Sequence, residues 1–259
     1  MPLPQPLRIS TESLVDGSLQ KSIDRIIEKH PAAKIELLPG DYRLAQPLRF
    51  TAKHSGMTLL GSSGAVIRGS VRLSLWKPVP NIVGLWKAKL PTPLISTLQP
   101  RVIFCDDQWL SRARTPNTGW IETEEKLSTT APLVMTIPAE HWRASWNNEP
   151  GLKLRAVQKW AGFEQQVIGV DHETHRITLP LPAIAHRQEK MNRFWFENTK
   201  EDIDLPGEWA YLHSSSEIVW KPTHAANSAA DVPAVDVPVV DSLVILDGAE
   251  GVSLDGLTF

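Results

Sequence analysis

The chain has 259 residues, 42% of them hydrophobic, and its 27 basic and 29 acidic side chains give a formal charge of -2. This size and composition suit one large or two small folded domains and exclude a disordered or low-complexity protein. The charges are mixed along the chain without the basic stripe that neutralises phosphates, so nucleic acid is not an expected partner.

The amino terminus is Pro-rich and lacks the charged start, apolar core and cleavage site of a secretion signal. The sequence as written predicts a cytoplasmic protein, and a secreted or periplasmic one if a signal was removed. No apolar stretch approaches the roughly 20 residues of a membrane helix, so no membrane association is expected. Cys105 is the single cysteine, which excludes an internal disulfide and predicts a small buried residue.

One amphipathic helix is predicted near the start, over residues 18–29. Ser18 is a suitable N-cap, apolar residues recur at helical spacing from Leu19 to Ile27, and His30-Pro31 ends the pattern. From Lys34 onward, short apolar runs alternate with turn residues, as in IELLPGDY and MTLLGSSGAVIRG. These segments predict short strands joined by tight corners.

The region from about Trp76 to Val239 has longer segments and more tryptophans. Its alternating runs, such as LKLRAVQ from Leu152, favour half-buried antiparallel strands, and VDHETHRITL favours a hairpin. An inserted β-sandwich or barrel is therefore predicted, and most tryptophans, including Trp86, Trp109, Trp195 and Trp209, are predicted to pack within it or at its seam with the coil of short strands. The Ala/Pro-rich run from Lys221 to Pro238 favours an exposed loop or return linker.

The last segment, SLVILDGAEGVSLDGLTF, repeats the pattern of short apolar runs separated by turn residues that residues 34–75 show. Successive short strands with tight corners are typical of a parallel β-helix, and the early helix would cover its first coil. We therefore predict an all-β protein: a right-handed parallel β-helix start with an amino-terminal capping helix, interrupted by the β-sandwich. The predicted domains are residues 1–75, the insertion 76–239, and the returning coil 240–259.

Several segments give the chain a family resemblance. Residues 39–44 (PGDYRL), 112–117 (RARTPN), 197–198 (EN), 205–209 (LPGEW) and the segment ending at Phe259 follow one another in the order found in right-handed β-helix glycoside hydrolases. The sequence resembles glycoside hydrolase family 141, with family 120 similar in architecture. It departs from the family after Trp209, where HSSSE replaces an Asp-rich turn, and at Trp220, a place commonly held by Tyr.

The resemblance implies a carbohydrate-active enzyme acting on plant-type, fucosylated or xylosylated glycans. In such relatives the catalytic carboxylates lie on coils beyond the point that matches Phe259, so the chain is expected to be an amino-terminal part that lacks them. The missing carboxy-terminal coils, or self-association through an exposed last coil, are therefore expected partners. Poor solubility of the isolated chain is a further expectation.

The residues themselves offer no convincing catalytic pair. Glycoside hydrolysis needs two carboxyl groups facing each other across a cleft. Asp106 and Asp107 are adjacent and favour a turn, while Asp202 and Asp204 fall in a predicted connection. Asp247 and Asp255 precede glycines and favour corners. No catalytic residue is predicted within the chain.

Metal and cofactor sites are not expected either. His172 and His175 have a two-His spacing, but a predicted hairpin turn supplies no third ligand. No Gly-rich phosphate loop opens a helix after a strand, so nucleotide binding lacks its structural context.

The predicted substrate-binding residues are Trp120, Asn117 and Arg114. Trp120 follows Pro116-Asn-Thr-Gly in a loop that leaves a predicted strand, and an indole there is either a sugar platform or a packing residue. Arg114 shares a strand face with Arg112 and either binds sugar hydroxyls or clamps the insertion. Glu197, Asn198 and Glu208 are predicted to form a buried polar network.

Three functions follow from the sequence. The first is the amino-terminal part of a glycoside hydrolase that shapes one wall of a cleft for an oligosaccharide or polysaccharide. The second is a carbohydrate-binding module without catalysis. The third is a structural β-helix surface protein.

Overall fold

The computed structural model describes residues 5–91, 99–122, 132–146, 151–157, 162–180 and 193–259. This part of the chain is mainly β, with a single α-helix, α1, over Leu19–Lys29. The chain divides into two compact units, one of Met1–Arg72 with Asp236–Phe259 and the other of Leu73–Val235. No helix in the described ranges is both long enough and apolar enough to cross a membrane.

Short strands follow one another along the chain. The first seven are β1 Leu7–Ile9, β2 Lys34–Leu37, β3 Gly40–Arg43, β4 Leu48–Thr51, β5 Thr58–Gly61, β6 Ala65–Arg68 and β7 Ser70–Leu73. The next seven are β8 Lys77–Pro78, β9 Trp86–Lys89, β10 Phe104–Cys105, β11 Gln108–Trp109, β12 Arg114–Thr115, β13 Ile121–Glu122 and β14 Leu133–Thr136. The last ten are β15 Lys153–Val157, β16 Gly162–Gln166, β17 Gly169–Asp171, β18 Arg176–Leu179, β19 Arg193–Glu197, β20 Trp209–Leu212, β21 Glu217–Trp220, β22 Val235–Pro238, β23 Val244–Asp247 and β24 Ser253–Asp255.

The first unit is built from parallel ladders. Strands β1, β2, β5 and β24 form one sheet in that order, and every neighbouring pair in it is parallel. Two further parallel pairs join β3 to β6 and β4 to β23. Strands β2, β3 and β4 therefore belong to three different ladders, and each pairs with a strand from a later segment of the chain.

The carboxy-terminal segment pairs with the early strands, as predicted. Val244 lies opposite Leu48, and Leu254 lies opposite Leu59. Gly61 and Gly256 allow a very close approach at this seam, because a Cβ on Gly61 would lie 2.5 Å from the Gly256 carbonyl oxygen. The ladders are thus closed by residues that are far apart in sequence.

Helix α1 covers the apolar core of the first unit. The Ser18 side chain accepts a hydrogen bond from the Lys21 backbone N–H, which confirms the predicted cap. Leu19, Ile23 and Ile27 are buried and belong to one core cluster with the inward residues of β2 to β6. The helix therefore contributes its apolar face to the same core as the parallel strands.

A polar contact fixes the other side of the helix. His54 is 1% exposed; its Nδ1 accepts from the Thr51 backbone N–H at 3.0 Å, and its Nε2 lies 2.8 Å from Asp24 Oδ1. The first bond sets the tautomer, so Nε2 carries the proton that Asp24 accepts.

The second unit consists of antiparallel sheets. One contains β12, β19, β15 and β16 with β13 also paired to β19, another contains β14, β18 and β17, and a third contains β20, β21, β9 and β8. The predicted strand at Leu152 and hairpin at Val170 are confirmed, since Leu154 and Ala156 are buried and β17 pairs with β18. Trp86 and Trp209 are buried as expected.

One prediction for this region is wrong, and another holds only in part. Trp109 is 69% exposed and is not packed inside the unit, although the centroid of its ring lies 6.3 Å from that of the Phe104 ring. The prediction of an exposed loop or return linker holds for residues 221–234, which contain no strand, but the end of the run forms strand β22, in which Val235 and Val237 are fully buried. The alternation of these valines with Asp236 and Pro238 outweighs the loop-like composition.

The chain leaves and re-enters the first unit at neighbouring points. The Val239 backbone N–H donates to the Gly69 carbonyl at 2.8 Å. A Cβ on Gly69 would lie 2.3 Å from the Val240 side chain, so a side chain at position 69 would push these two segments apart.

Candidate functional site

One polar sheet face in the second unit brings together most of the sequence-predicted site. Directly opposed residues of antiparallel strands project to the same side of a sheet. The observed pairings of Arg114 with Glu197 and of Trp195 with Arg155 therefore align polar side chains from β12, β19 and β15. The alternate residues of β19, Phe194 and Phe196, are fully buried in an apolar core.

The loop of residues 116–120 is held at both ends by strand β19. The strand before the loop, β12, pairs with Glu197 and Phe196, and the strand after it, β13, pairs with Phe194 and Arg193. Arg114 Nε donates to the Pro116 carbonyl at 2.9 Å, and its Nη2 donates to the Gly119 carbonyl. Arg114 thus fixes the shape of the loop that carries Asn117 and Trp120.

Trp120 is the exposed aromatic residue of this loop. Its side chain is 44% exposed, and the Arg193 guanidinium lies 4.9 Å from its ring centroid. Arg193 also lies 3.5 Å from the Glu122 carboxylate. An indole with an accessible surface therefore stands beside a guanidinium and a carboxylate that are both exposed enough to bind a ligand; we call Trp120, Arg193 and Glu122 the Trp120 site.

A second indole lies further along the same sheet face. Arg114 stacks on Trp195 with 4.5 Å from its guanidinium carbon to the ring centroid, and Trp195 Nε1 donates to Glu197 at 2.6 Å. Arg155 Nε lies 3.3 Å from the Glu197 carboxylate. Burial lowers the pKa of Arg114, against the opposing effect of Glu197, and the guanidinium remains charged.

In the neighbouring pair of strands, β15 and β16, the Glu164 carboxylate binds two cationic side chains. Arg155 reaches its carboxylate with Nε at 3.1 Å and Nη2 at 2.9 Å, and Lys153 also donates to it. Burial opposes ionisation of Glu164, but the two cations outweigh it and lower its pKa to about 2.

Asn117 is joined to the second half of the unit by its side chain. Its Nδ2 donates to Asp204 Oδ1 at 2.8 Å. The predicted residues are therefore brought together in two ways: Arg114 holds the loop, and Asn117 ties the loop to the 202–208 segment.

The carboxylates of the 202–208 segment are engaged in structural contacts. Asp202 is 5% exposed, bonds to Thr199 and lies 3.8 Å from Arg143. Glu208 accepts from the backbone N–H groups of Asp204 at 3.0 Å and Leu205 at 2.9 Å. Burial raises the pKa of both carboxyls, against these hydrogen bonds.

The three residues predicted to form a buried polar network are buried and hydrogen-bonded, each to its own partners. Glu197, Asn198 and Glu208 are buried, and each has hydrogen-bond partners. Asn198 Nδ2 donates to the Gly151 and Tyr211 carbonyls, and its Oδ1 accepts from the Tyr211 backbone N–H at 2.8 Å. This side chain joins three separate segments.

Other sequence candidates have structural roles. Asp106 and Asp107 form the two-residue turn between β10 and β11 with φ of 47° and 60°, as predicted. His172 accepts a hydrogen bond from Trp142 Nε1 at 3.2 Å, and His175 stacks on the same indole at 4.9 Å. Within the described ranges no group of three His, Cys, Asp or Glu residues is arranged to hold a metal.

Sequence reasoning missed Arg193 and Glu122. Neither residue belongs to a motif, and their role depends on pairing between β13 and β19, which are distant in the chain. The period-2 alternation of Arg193, Trp195 and Glu197 was the available signal, because it places all three on the face opposite Phe194.

The fold has a counterpart among solved structures. A structure described as "Glycoside hydrolase" superposes with a TM-score of 0.74 at 17% identity, over 98% of this chain and 50% of that one. The chain thus spans about half the length of that relative. The likeness shows a shared fold.

Two further structures superpose poorly. "The complex structure of XylC with xylose" gives a TM-score of 0.31 at 10% identity over 80% of this chain and 33% of that one. The Gp54 tailspike of Acinetobacter baumannii bacteriophage AP22, in complex with A. baumannii capsular saccharide, gives 0.18 at 7% identity over 70% and 24%. No protein-family model and no curated protein matches the chain.

Proposed function

We propose that this chain binds carbohydrate at the Trp120 site. The observation that carries the proposal is the 44% exposed indole of Trp120, held beside Arg193 and Glu122 by a loop fixed at both ends. Flat indole surfaces stack on the apolar faces of sugar rings, and charged groups at their edge bond to sugar hydroxyls. The fold likeness to a glycoside hydrolase supports the same class of ligand.

The three parallel ladders of the first unit fit the coils of a right-handed β-helix, with α1 as its cap and the second unit as a β-sandwich insertion between coils. This architecture is the one implied by the resemblance to glycoside hydrolase family 141. On that basis the ligand is a xylose- or fucose-containing glycan, and the chain shapes one side of the binding cleft.

The roles within the site differ. Trp120 supplies the stacking surface, Arg193 and Glu122 supply hydrogen bonds, and Asn117 contributes its carbonyl oxygen beside the Asp204 contact. Arg114 acts through the loop, since its guanidinium is bound to the Pro116 and Gly119 carbonyls.

Isothermal titration calorimetry with xylo-oligosaccharides and fucosylated oligosaccharides tests the proposal. The wild type should bind one of them, and Trp120→Ala should weaken binding by about 1–2 kcal/mol, roughly 5- to 30-fold. Trp109→Ala is the matched control, because Trp109 is a more exposed indole of the same unit at 69%. Absence of binding, or an equal loss in both variants, would reject Trp120 as the platform.

A further inference from the structure

A small pocket lies in the second unit apart from the exposed Trp120 indole. It has a volume of about 100 Å³ and is lined by segments around Trp146, Leu152, Lys200 and His213. Asn198 fixes its wall through the bonds to Gly151 and Tyr211 described above. The polar network therefore also shapes a cavity.

The lining is rich in hydrogen-bond donors. Trp146 is 1% exposed, and its Nε1–H is buried without a hydrogen-bond partner among the described residues. Lys200 and the His213 imidazole line the same pocket. A buried donor without an acceptor costs free energy unless a ligand or water supplies one, so the pocket suits a group that accepts hydrogen bonds.

The charges around the pocket favour an anion. Desolvation lowers the pKa of His213, and the positive charges of Lys153 and Arg112 act in the same direction. The acidic residue in the lining, Glu201, lies 3.6 Å from Lys200 Nζ and is partly neutralised by it. A negative group entering beside His213 would lie near the positive charges of Lys153 and Arg112, of which Lys153 is also paired with Glu164.

The volume limits the ligand. An engineered cavity of roughly 150 Å³ holds a benzene ring, so a pocket of about 100 Å³ is too small for a whole sugar ring with its hydroxyls. It is large enough for a planar carboxylate and the carbon that bears it. The exposed Glu201 and partly exposed Lys200 in its lining leave the rest of such a ligand outside.

We propose that this pocket binds the carboxylate of an acidic sugar, with Trp146, Lys200 and His213 as its donors. The proposal rests on the carbohydrate function proposed above only for the nature of the ligand, and it extends that function to glycans that carry uronic acids.

Calorimetry with D-glucuronic acid, its methyl ester and D-glucose tests the proposal. Glucuronate should bind at least tenfold more tightly than the uncharged ester and glucose at pH 5.5. Its affinity should fall as the pH rises to 7.5, because a bound anion favours the protonated imidazole of His213; the other charged groups around the pocket are Lys153, Arg112, Lys200 and Glu201.

Two variants locate the binding. His213→Gln and Lys200→Gln should each weaken glucuronate binding at least fivefold at pH 5.5, and His213→Gln should remove the pH dependence. Trp120→Ala is the control, because it leaves the pocket unchanged and should keep glucuronate binding. A loss of oligosaccharide binding that occurs only in Trp120→Ala would report on the Trp120 site. Equal affinity for glucuronate and its ester, or glucuronate binding unchanged in both pocket variants, would overturn the proposal.

Discussion

At the scale of single residues, the polar sheet face is held by charged side chains that each have several partners. Glu164 shows this most clearly, since Lys153 and Arg155 both donate to it and its side chain is 28% exposed. A carboxyl whose folded pKa is lowered adds stability that is present above its unfolded pKa and is lost as the pH falls. For Glu164 this window runs from the ordinary value of 4.5 down to about 2.

Replacing Glu164 with Gln should lower the free energy of unfolding by about 2 kcal/mol at pH 7, because the two cations lose their shared partner. The difference from the wild type should shrink below pH 4.5 and nearly vanish near pH 2. Urea unfolding followed by circular dichroism at pH 7, 4.5 and 2.5 measures it. Glu173→Gln, at an exposed turn, is the control; a Glu164→Gln effect that is equal at all three pH values would contradict the electrostatic explanation.

Residue-level prediction from the sequence succeeded where chain neighbours set the environment. Trp120 lies in the expected loop after β12, and Asp106 and Asp107 form the expected turn. It failed for Trp109, because β11 contains only two residues and so carries no alternation from which to infer the solvent side. The contacts of Arg193 depend on long-range strand pairing and could not be read locally.

At the scale of elements, helix α1 and the short parallel strands depend on one another. The helix buries Leu19, Ile23 and Ile27 in the strand core, and Asp24 binds His54 and Lys53, which follow β4. The helix could be predicted because cap, apolar spacing and stop signal all agree. Strand β22 could not be predicted, because two alternating valines are a weak signal within an Ala/Pro-rich run whose composition favours a loop.

Ile23→Ala should destabilise the first unit by about 2–4 kcal/mol, because Ile23 is fully buried and its removal leaves a cavity between helix and strands. Glu28→Ala, on the exposed face of the same helix, should change stability by less than about 0.5 kcal/mol. Hydrogen exchange of the β2 and β5 amides locates the effect in the first unit. Unchanged exchange in the Ile23→Ala variant would show that the helix does not stabilise those strands.

At the scale of the whole molecule, we expect binding without glycoside hydrolysis by this chain. Glycoside hydrolysis requires a free carboxylate and a protonated carboxyl on opposite sides of the sugar. Near the Trp120 loop, Glu122 pairs with Arg193, Glu197 binds Trp195 and Arg155, Asp202 binds Thr199, Asp204 binds Asn117, and Glu208 binds backbone N–H groups.

Release of nitrophenol from aryl xylosides and fucosides by the purified chain tests this expectation, and none should be detected. A rate that survives purification and disappears in Asp202→Asn, Asp204→Asn, Asp106→Asn or Asp107→Asn would place an active site within these residues. The binding experiments are independent of this assay, since neither proposed site uses those carboxylates as acid or base.

The pairing of β24 with β5 has a consequence for synthesis of the protein. Roughly 190 residues separate the two strands, so at about 5–20 residues per second a ribosome needs on the order of 10–40 s to supply the second after the first. Through that interval β5 has one edge unpaired, while the residues between Gly69 and Val239 are being synthesised. The nascent chain must therefore keep Thr58–Gly61 from pairing with other chains. Mutations that slow folding of the intervening second unit should cause the first unit to aggregate.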